Sequence, residues 1–204
     1  MNKFIHYFLL LPAVCSFYFA DSQIIAEDTS SQAAFFAAKR FDSKCNVGIE
    51  ASATQILKKN AGLNLGLNLN WVINHKFVVS AKYHVLTTPV NIERIIAPEK
   101  TDTVLLQHHF AGLGFSYIVF HNKKFSLQPE LVAGWGSASY NDKKFRKDFA
   151  VILPAVYGIY NASKYFRLGI GLNYRATIGC SLNGLKDADL SGIAGVIFMR
   201  VGTF

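Results

Sequence analysis

The sequence predicts an all-β protein: a closed, antiparallel, membrane-spanning β-barrel of about eight strands in an up-and-down meander. Three observations predict it. Apolar residues recur at every second position in stretch after stretch of the chain. The links between stretches alternate between tight and mostly longer ones. Beyond the N-terminus, no stretch is both long and apolar enough for a membrane helix, which needs about 20 such residues.

The alternation is clearest at residues 62–73. Leu63, Leu65, Leu67, Leu69, Trp71 and Ile73 share one parity, and Gly62, Asn64, Gly66, Asn68 and Asn70 the other. Side chains alternate faces along a strand, so one face is apolar and the other almost entirely Asn and Gly. A soluble sandwich also alternates, but its polar face meets bulk water and usually carries Lys, Glu or Thr. Asn and Gly suit a crowded, wet interior. The pattern recurs at 44–57 (Val47, Ile49, Ala51, Leu57 against Asn46, Glu50, Ser52, Thr54) and at 77–87 (Phe77, Val79, Ala81, Tyr83, Val85 against Ser80, Lys82, His84). It recurs again at 125–135, where Phe125, Leu127, Leu131 and Trp135 oppose Ser126, Gln128 and Glu130. At 166–178, Phe166, Leu168, Ile170, Leu172, Tyr174 and Ile178 oppose Arg167, Asn173 and Arg175. Residues 149–160 are apolar on both faces, so their orientation is open, as is that of 192–204.

The predicted strands are 44–57, 62–73, 77–87, 103–120, 125–140, 149–160, 165–179 and 192–204. Each can supply the roughly 9–11 tilted residues that cross a bilayer. The links at 74–76, 121–124 and 161–164 are short and polar, and an aromatic follows each. Those at 88–102, 141–148 and 180–191 are longer, with 58–61 the short exception. Short periplasmic turns and longer outer loops are the sorting expected of a membrane barrel. Trp71, Phe77, Phe125, Tyr165 and Phe166 then form half of an interfacial girdle. An even strand count returns both chain ends to the periplasm, and closure removes sheet edges. The main rival fold is a soluble barrel holding a lipid, which would turn the Leu63–Leu69 row inward.

Residues 1–20 read as a secretory signal peptide: Lys3, an apolar run from Phe4 to Phe19, and Ala20 before Asp21. Val14 before Cys15 argues against lipidation. Residues 21–43 form a leader, in which 30–41 reads equally as a short helix or as an unstructured segment. The barrel is assigned to 44–204. Composition decides little, since 51% hydrophobic and 17% charged residues would also suit a soluble domain. The net charge of +8 raises nucleic-acid binding, but no helix or loop carries a dense basic stripe interleaved with stacking aromatics. A membrane face rich in lipid phosphates suits that charge.

The hairpin phrases NHKFVVSAKYHV, NKKFSLQPELVAGWG and SKYFRLGIGLNYRA, with the terminal Phe204, resemble the small outer-membrane β-barrel superfamily of the OmpA, OmpX and OmpW type. The resemblance covers residues 44–204 and implies a bacterial outer-membrane location. It implies Phe204 as the signal read by the barrel-assembly machinery, and lipids and lipopolysaccharide as surroundings. The scaffold serves many roles, so it names no activity. One departure stands out. Counting back from Phe204 by twos puts Arg200 on the lipid side, whereas the opposite parity places Ile193, Ile197, Met199 and Val201 outward and turns Phe204 inward.

Glu50, Lys82, His84, Glu130, Arg167 and Arg175 fall on inward faces and form the candidate lumen network. An eight-stranded barrel is too narrow for an open pore, so side chains fill it and buried charges must pair. The expected function is a non-enzymatic integral barrel, monomeric, with a structural or surface-interaction role. No cofactor or metal is expected: His108 and His109 point to opposite faces and make a poor joint site. A lipid A deacylase or acyltransferase is one alternative. Against it, the positions two residues after His108 and His109 hold Phe110 and Ala111 rather than a serine. A narrow channel past Glu50, Lys82 and Arg175 is another. Lys143, Lys144, Arg146 and Lys147 form a basic outer loop that can contact polyanions. Cys45 and Cys180 are expected at opposite ends, too far apart for a disulfide.

Overall fold

The computed structural model describes residues 43–204 apart from 57–59, 89, 98–99, 121–123, 141–145 and 182–184. The signal-peptide and leader readings, and Lys143 and Lys144, lie outside the described residues. Nine strands follow in chain order: β1 Ser43–Ile56, β2 Asn60–Ile73, β3 Phe77–Leu86, β4 Val90–Ala97, β5 Lys100–Tyr117, β6 Phe125–Tyr140, β7 Arg146–Asn161, β8 Phe166–Ile178 and β9 Gly192–Gly202. A single turn of helix, α1 Asp187–Leu190, precedes β9. Eight strands form the closed ring. β1 pairs with both β2 and β9, and β3 pairs with β5, bypassing β4.

The faces follow the period-two reading. Val47, Leu65, Leu67, Phe115, Leu131, Trp135, Ile170 and Leu172 stand exposed on the outer wall. Asn46, Asn64, Asn68, Asn70, Ser80 and Gln128 are buried inside. The leucine row of β2 therefore faces outward, which rules out the soluble, lipid-filled rival. An apolar wall of this extent is stable only in hydrocarbon. At the periplasmic end, Phe77 stacks on Phe115 at 5.9 Å and meets Tyr117 edge-on at 5.3 Å. Phe125 lies 5.2 Å from Tyr160. The β2–β3 turn closes with Lys76 N–H donating to Ile73 O at 3.2 Å, and Asn74 and His75 both take positive φ. That is the mirror-image turn whose twist matches a hairpin, and Asn tolerates it well.

One region departs from the sequence reading, and a second decides an orientation that the sequence left open. Residues 88–102 were expected to be a loop, but β4 and the first half of β5 form a hairpin arm beyond the ring. Its register runs from Val90 opposite Leu106 to Ala97 opposite Lys100. Prolines and charges (Pro89, Glu93, Arg94, Pro98) read as loop. The β-branched residues between them (Val90, Ile92, Ile95, Thr101, Thr103, Val104) favour an extended pair. The second region is β9. Ile193, Ile197, Met199 and Val201 face out, while Phe198 and Arg200 are buried inside. Apolar outward burial decides the parity, and Phe204 lies beyond the strand end with the Arg167 guanidinium 4.0 Å over its ring.

The both-faces-apolar stretch is also resolved. Phe149, Val151, Leu153, Ala155, Tyr157 and Ile159 point inward, so β7 supplies the apolar side of the lumen. Four large inward rings fit a narrow barrel because each lies against a glycine on a neighbouring strand. In the registers, His84 faces Gly66, Phe149 faces Gly136, Tyr157 faces Gly171 and Phe198 faces Gly169. A Cβ on any of these glycines would collide with the ring opposite it.

Candidate functional site

The lumen is stratified. At mid-height, Lys82 of β3 sits between two carboxylates. Its Nζ donates to Glu130 Oε2 at 2.7 Å and to Glu50 Oε2 at 3.4 Å, and all three side chains are about 1% exposed or less. Ser80 Oγ donates to the other Glu130 oxygen at 2.8 Å. Lys82 also donates to Tyr157 Oη at 3.3 Å, with Nζ 5.1 Å from the ring centre. His84 Nε2 stands 4.0 Å from Glu50 Oε1. Charges this deep persist because they are paired and hydrogen-bonded.

Towards the periplasm the carboxylates give way to neutral partners. Arg200 Nη1 donates to Gln128 Oε1 at 2.8 Å, Gln128 Nε2 donates to Ser116 Oγ at 2.7 Å, and the guanidinium lies 4.2 Å over the Phe198 ring. Asn70 Nδ2 donates to Asn46 and Asn68 at 2.9 and 2.8 Å. Val72, Val78 and Ile118 form a small apolar cluster beside the periplasmic turn. Arg167, half-buried, marks the end of this layer.

Above the middle, Arg175 of β8 reaches inward. Its Nε donates to Leu190 O at 2.7 Å, and Nη1 lies 3.4 Å from His108 Nε2. The segment after β8 folds back over the mouth. Cys180, Leu185 and Leu190 are buried with Ile56, Val90, Leu106 and Tyr140 in one apolar cluster. Asp187 secures the fold-back by accepting from the Gly179 and Cys180 amides. This is one of the longer outer links expected from the sequence. Its leucines cover lumen surface that would otherwise face water.

The sequence-predicted network residues are thus all on the inner face, but they do not form one cluster. Glu50, Lys82, His84 and Glu130 come together, Arg175 belongs to the upper layer and Arg167 to the periplasmic end. Tyr157 and Arg200 were missed. Tyr157 lay in the stretch whose faces could not be read. Arg200 lay in the strand whose parity was open. Of the residues a channel would pass, Arg175 lies below the apolar cluster of Ile56, Val90, Leu106, Tyr140, Leu185 and Leu190. His108 points into the lumen beside Arg175, and His109 points out, its ring 6.2 Å from that of Tyr83. Among the described residues neither meets a serine and a carboxylate together, and no three His, Cys, Asp or Glu side chains are grouped to hold a metal. Of the basic loop, Arg146 and Lys147 open β7 and are exposed, with Arg146 Nε 3.3 Å from Asp148. Cys45 lies at the periplasmic start of β1 and Cys180 at the outer mouth, so the two are not joined.

The outer closure makes a prediction. In a Cys45→Ser background, maleimide should label buried Cys180 slowly. Asp187→Ala, by freeing two amides worth roughly 1–2 kcal/mol together, should speed labelling roughly tenfold. An unchanged rate would mean that Asp187 does not hold the closure.

No protein-family model matches the chain, and no curated protein matches its sequence. Solved structures do match in fold. Neisserial surface protein A (NspA) superposes with a TM-score of 0.54 at 14% identity, covering 79% of this chain and 97% of that one. Ail, the attachment invasion locus protein of Yersinia pestis, solved with the heparin analogue sucrose octasulfate, superposes with a TM-score of 0.50 at 14% identity, covering 80% and 99%. At such identity the likeness is one of fold.

Proposed function

We propose that this chain, which has the fold of the small bacterial outer-membrane β-barrels and the apolar wall that such a membrane requires, is a closed scaffold. In this reading it presents its outer loops to anionic partners rather than conducting solute. The observation that carries this reading is the sealed lumen: a paired charge layer below and an apolar closure above, with ring–glycine packing between. With the interior filled, the surface open to partners is the outer rim, where Arg146 and Lys147 stand exposed and Lys143 and Lys144 precede them in sequence. Bidentate guanidinium contacts and lysine charges suit sulfate or phosphate groups. Ail, of similar fold, was crystallised with a sulfated sugar, and lipopolysaccharide phosphates offer the same chemistry in the chain's own membrane. In this reading the barrel acts as a monomer, is not an enzyme, and is inserted with the help of the barrel-assembly machinery.

The test has two parts. Detergent-extracted outer membranes should show a boiling-dependent gel shift, and the purified barrel should give no stepwise conductance in planar bilayers. Sustained conductance would overturn the closed-scaffold reading. On immobilised heparin, Lys143→Ala, Lys144→Ala, Arg146→Ala and Lys147→Ala together should weaken retention by roughly 1–3 kcal/mol, since exposed ionic contacts contribute up to about 1 kcal/mol each. Equal retention would remove the basic loop from the proposal.

A further inference from the structure

Among the described residues, Arg175 is a deeply buried lumen cation with no carboxylate beside it. In the deep middle of the lumen Lys82 and Arg200 stand with Glu50 and Glu130, while Arg167 sits half-buried at the periplasmic end over the Phe204 ring. The fields of both carboxylates reach Arg200 as well as Lys82. Arg175 is as deeply buried, at 4% exposure, but among the described residues it makes no ion pair. Its partners are a backbone carbonyl and a histidine ring. Its Nη2 has no partner at all. A buried guanidinium left in this state costs several kcal/mol, which is why such groups are almost always found opposite an anion.

Beside it lies a small cavity of about 10 Å³, lined by Ser52, Thr54, Asn64, His84, Asn173 and Arg175, with the rest of its wall apolar. Thr54 Oγ1 and Asn64 Oδ1 are also buried without partners. A hydroxyl can donate into the cavity, and a half-turn of the Asn64 amide would present its NH₂ there. The volume suits an occupant of about the size of one water molecule. It is too small for phosphate, sulfate or a carboxylate-bearing metabolite.

We infer that the upper lumen is a binding site for one small inorganic monoanion of the halide class, held by Arg175 Nη2, Thr54 Oγ1 and the Asn64 amide. The anion gives Arg175 its counter-charge and makes chloride a structural component of the barrel. A water molecule would satisfy Thr54 and Asn64 but would leave the guanidinium without a counter-charge, so the unpaired cation decides for the anion.

The test is to refold the full barrel in bromide in place of chloride, crystallise it, and collect anomalous data. An anomalous peak within hydrogen-bond reach of Arg175 Nη2 is expected. In parallel, thermal unfolding in detergent is compared in chloride and in gluconate at equal ionic strength. The midpoint should be higher in chloride, because a ligand of the native state alone stabilises it. The chloride increment should vanish in Arg175→Met and shrink in Thr54→Val. Thr54→Val keeps the measurement usable if Arg175→Met does not fold. A cavity holding water with no anomalous signal overturns the inference. So does a bromide peak with no chloride-dependent midpoint, which would mark an adventitious ion only.

Discussion

Replacing Lys82 by methionine is expected to destabilise the barrel by about 3–5 kcal/mol, the cost of leaving one side of a buried ionic pair uncompensated. Lys82 is the one group that contacts both Glu50 and Glu130, whose side chains are essentially inaccessible. Methionine matches its length, so little of the loss comes from a void. Urea unfolding in detergent micelles, followed by the gel shift, measures it. Arg200 stays in the field of both carboxylates and keeps the loss from growing further. The triple variant Glu50→Gln, Lys82→Met, Glu130→Gln should recover most of the stability, because neutral amides need no counter-charge. A Lys82→Met barrel as stable as the parent would show that water reaches the two glutamates.

Gly169→Val is expected to be as damaging, and for the opposite reason to what strand propensity suggests. Valine favours strands over glycine by up to about 1 kcal/mol. At Gly169, however, any Cβ falls on the Phe198 ring. The ring has no other place in a lumen this narrow, so the variant should lose about 3 kcal/mol or more, or fail to close. Adding Phe198→Ala should restore folding, a coupling that a double-mutant cycle reads directly. Gly195 is the control. It faces outward with open space around it, so Gly195→Val should be neutral or mildly stabilising. Equal behaviour of the two valine variants would mean that the ring–glycine contact carries no weight.

The fold was legible because a barrel wall separates lipid from lumen residue by residue. Leu63 to Ile73 could be assigned to faces from parity alone, since one side is leucine and the other Asn and Gly. Parity failed where both sides needed apolar residues. In β7, Tyr157 and Phe149 point into the lumen while Ile152 and Val156 meet lipid, and hydropathy cannot separate two apolar environments. The inward parity of Glu50, Lys82 and Glu130 was legible, but their contact was not, because which lumen residues meet depends on barrel shear. Lys82 and Tyr157 are 75 positions apart and meet across the lumen rather than along a ladder. The closure by Leu185 and Leu190 was hidden for another reason. A loop with a few leucines among polar residues carries no sign of burial until there is a mouth for it to cover. Likewise Arg200 on β9 had no readable environment until pairing with β1 and β8 fixed the strand's orientation.

The ring–glycine pairs also act as a vernier on strand assembly. A one-residue slip would throw every leucine to the wrong face, so the dangerous errors are slips of two, which preserve the faces. On β8, Gly169 must meet Phe198 of β9 while Gly171 meets Tyr157 of β7. Sliding β8 one way keeps Phe198 over a glycine but sets Tyr157 against Asn173. Sliding it the other way keeps Tyr157 over a glycine but drives Phe198 onto Arg167. Neither misalignment satisfies both neighbours, so two residues without side chains proofread the stagger of three strands, and through it the diameter of the closed ring.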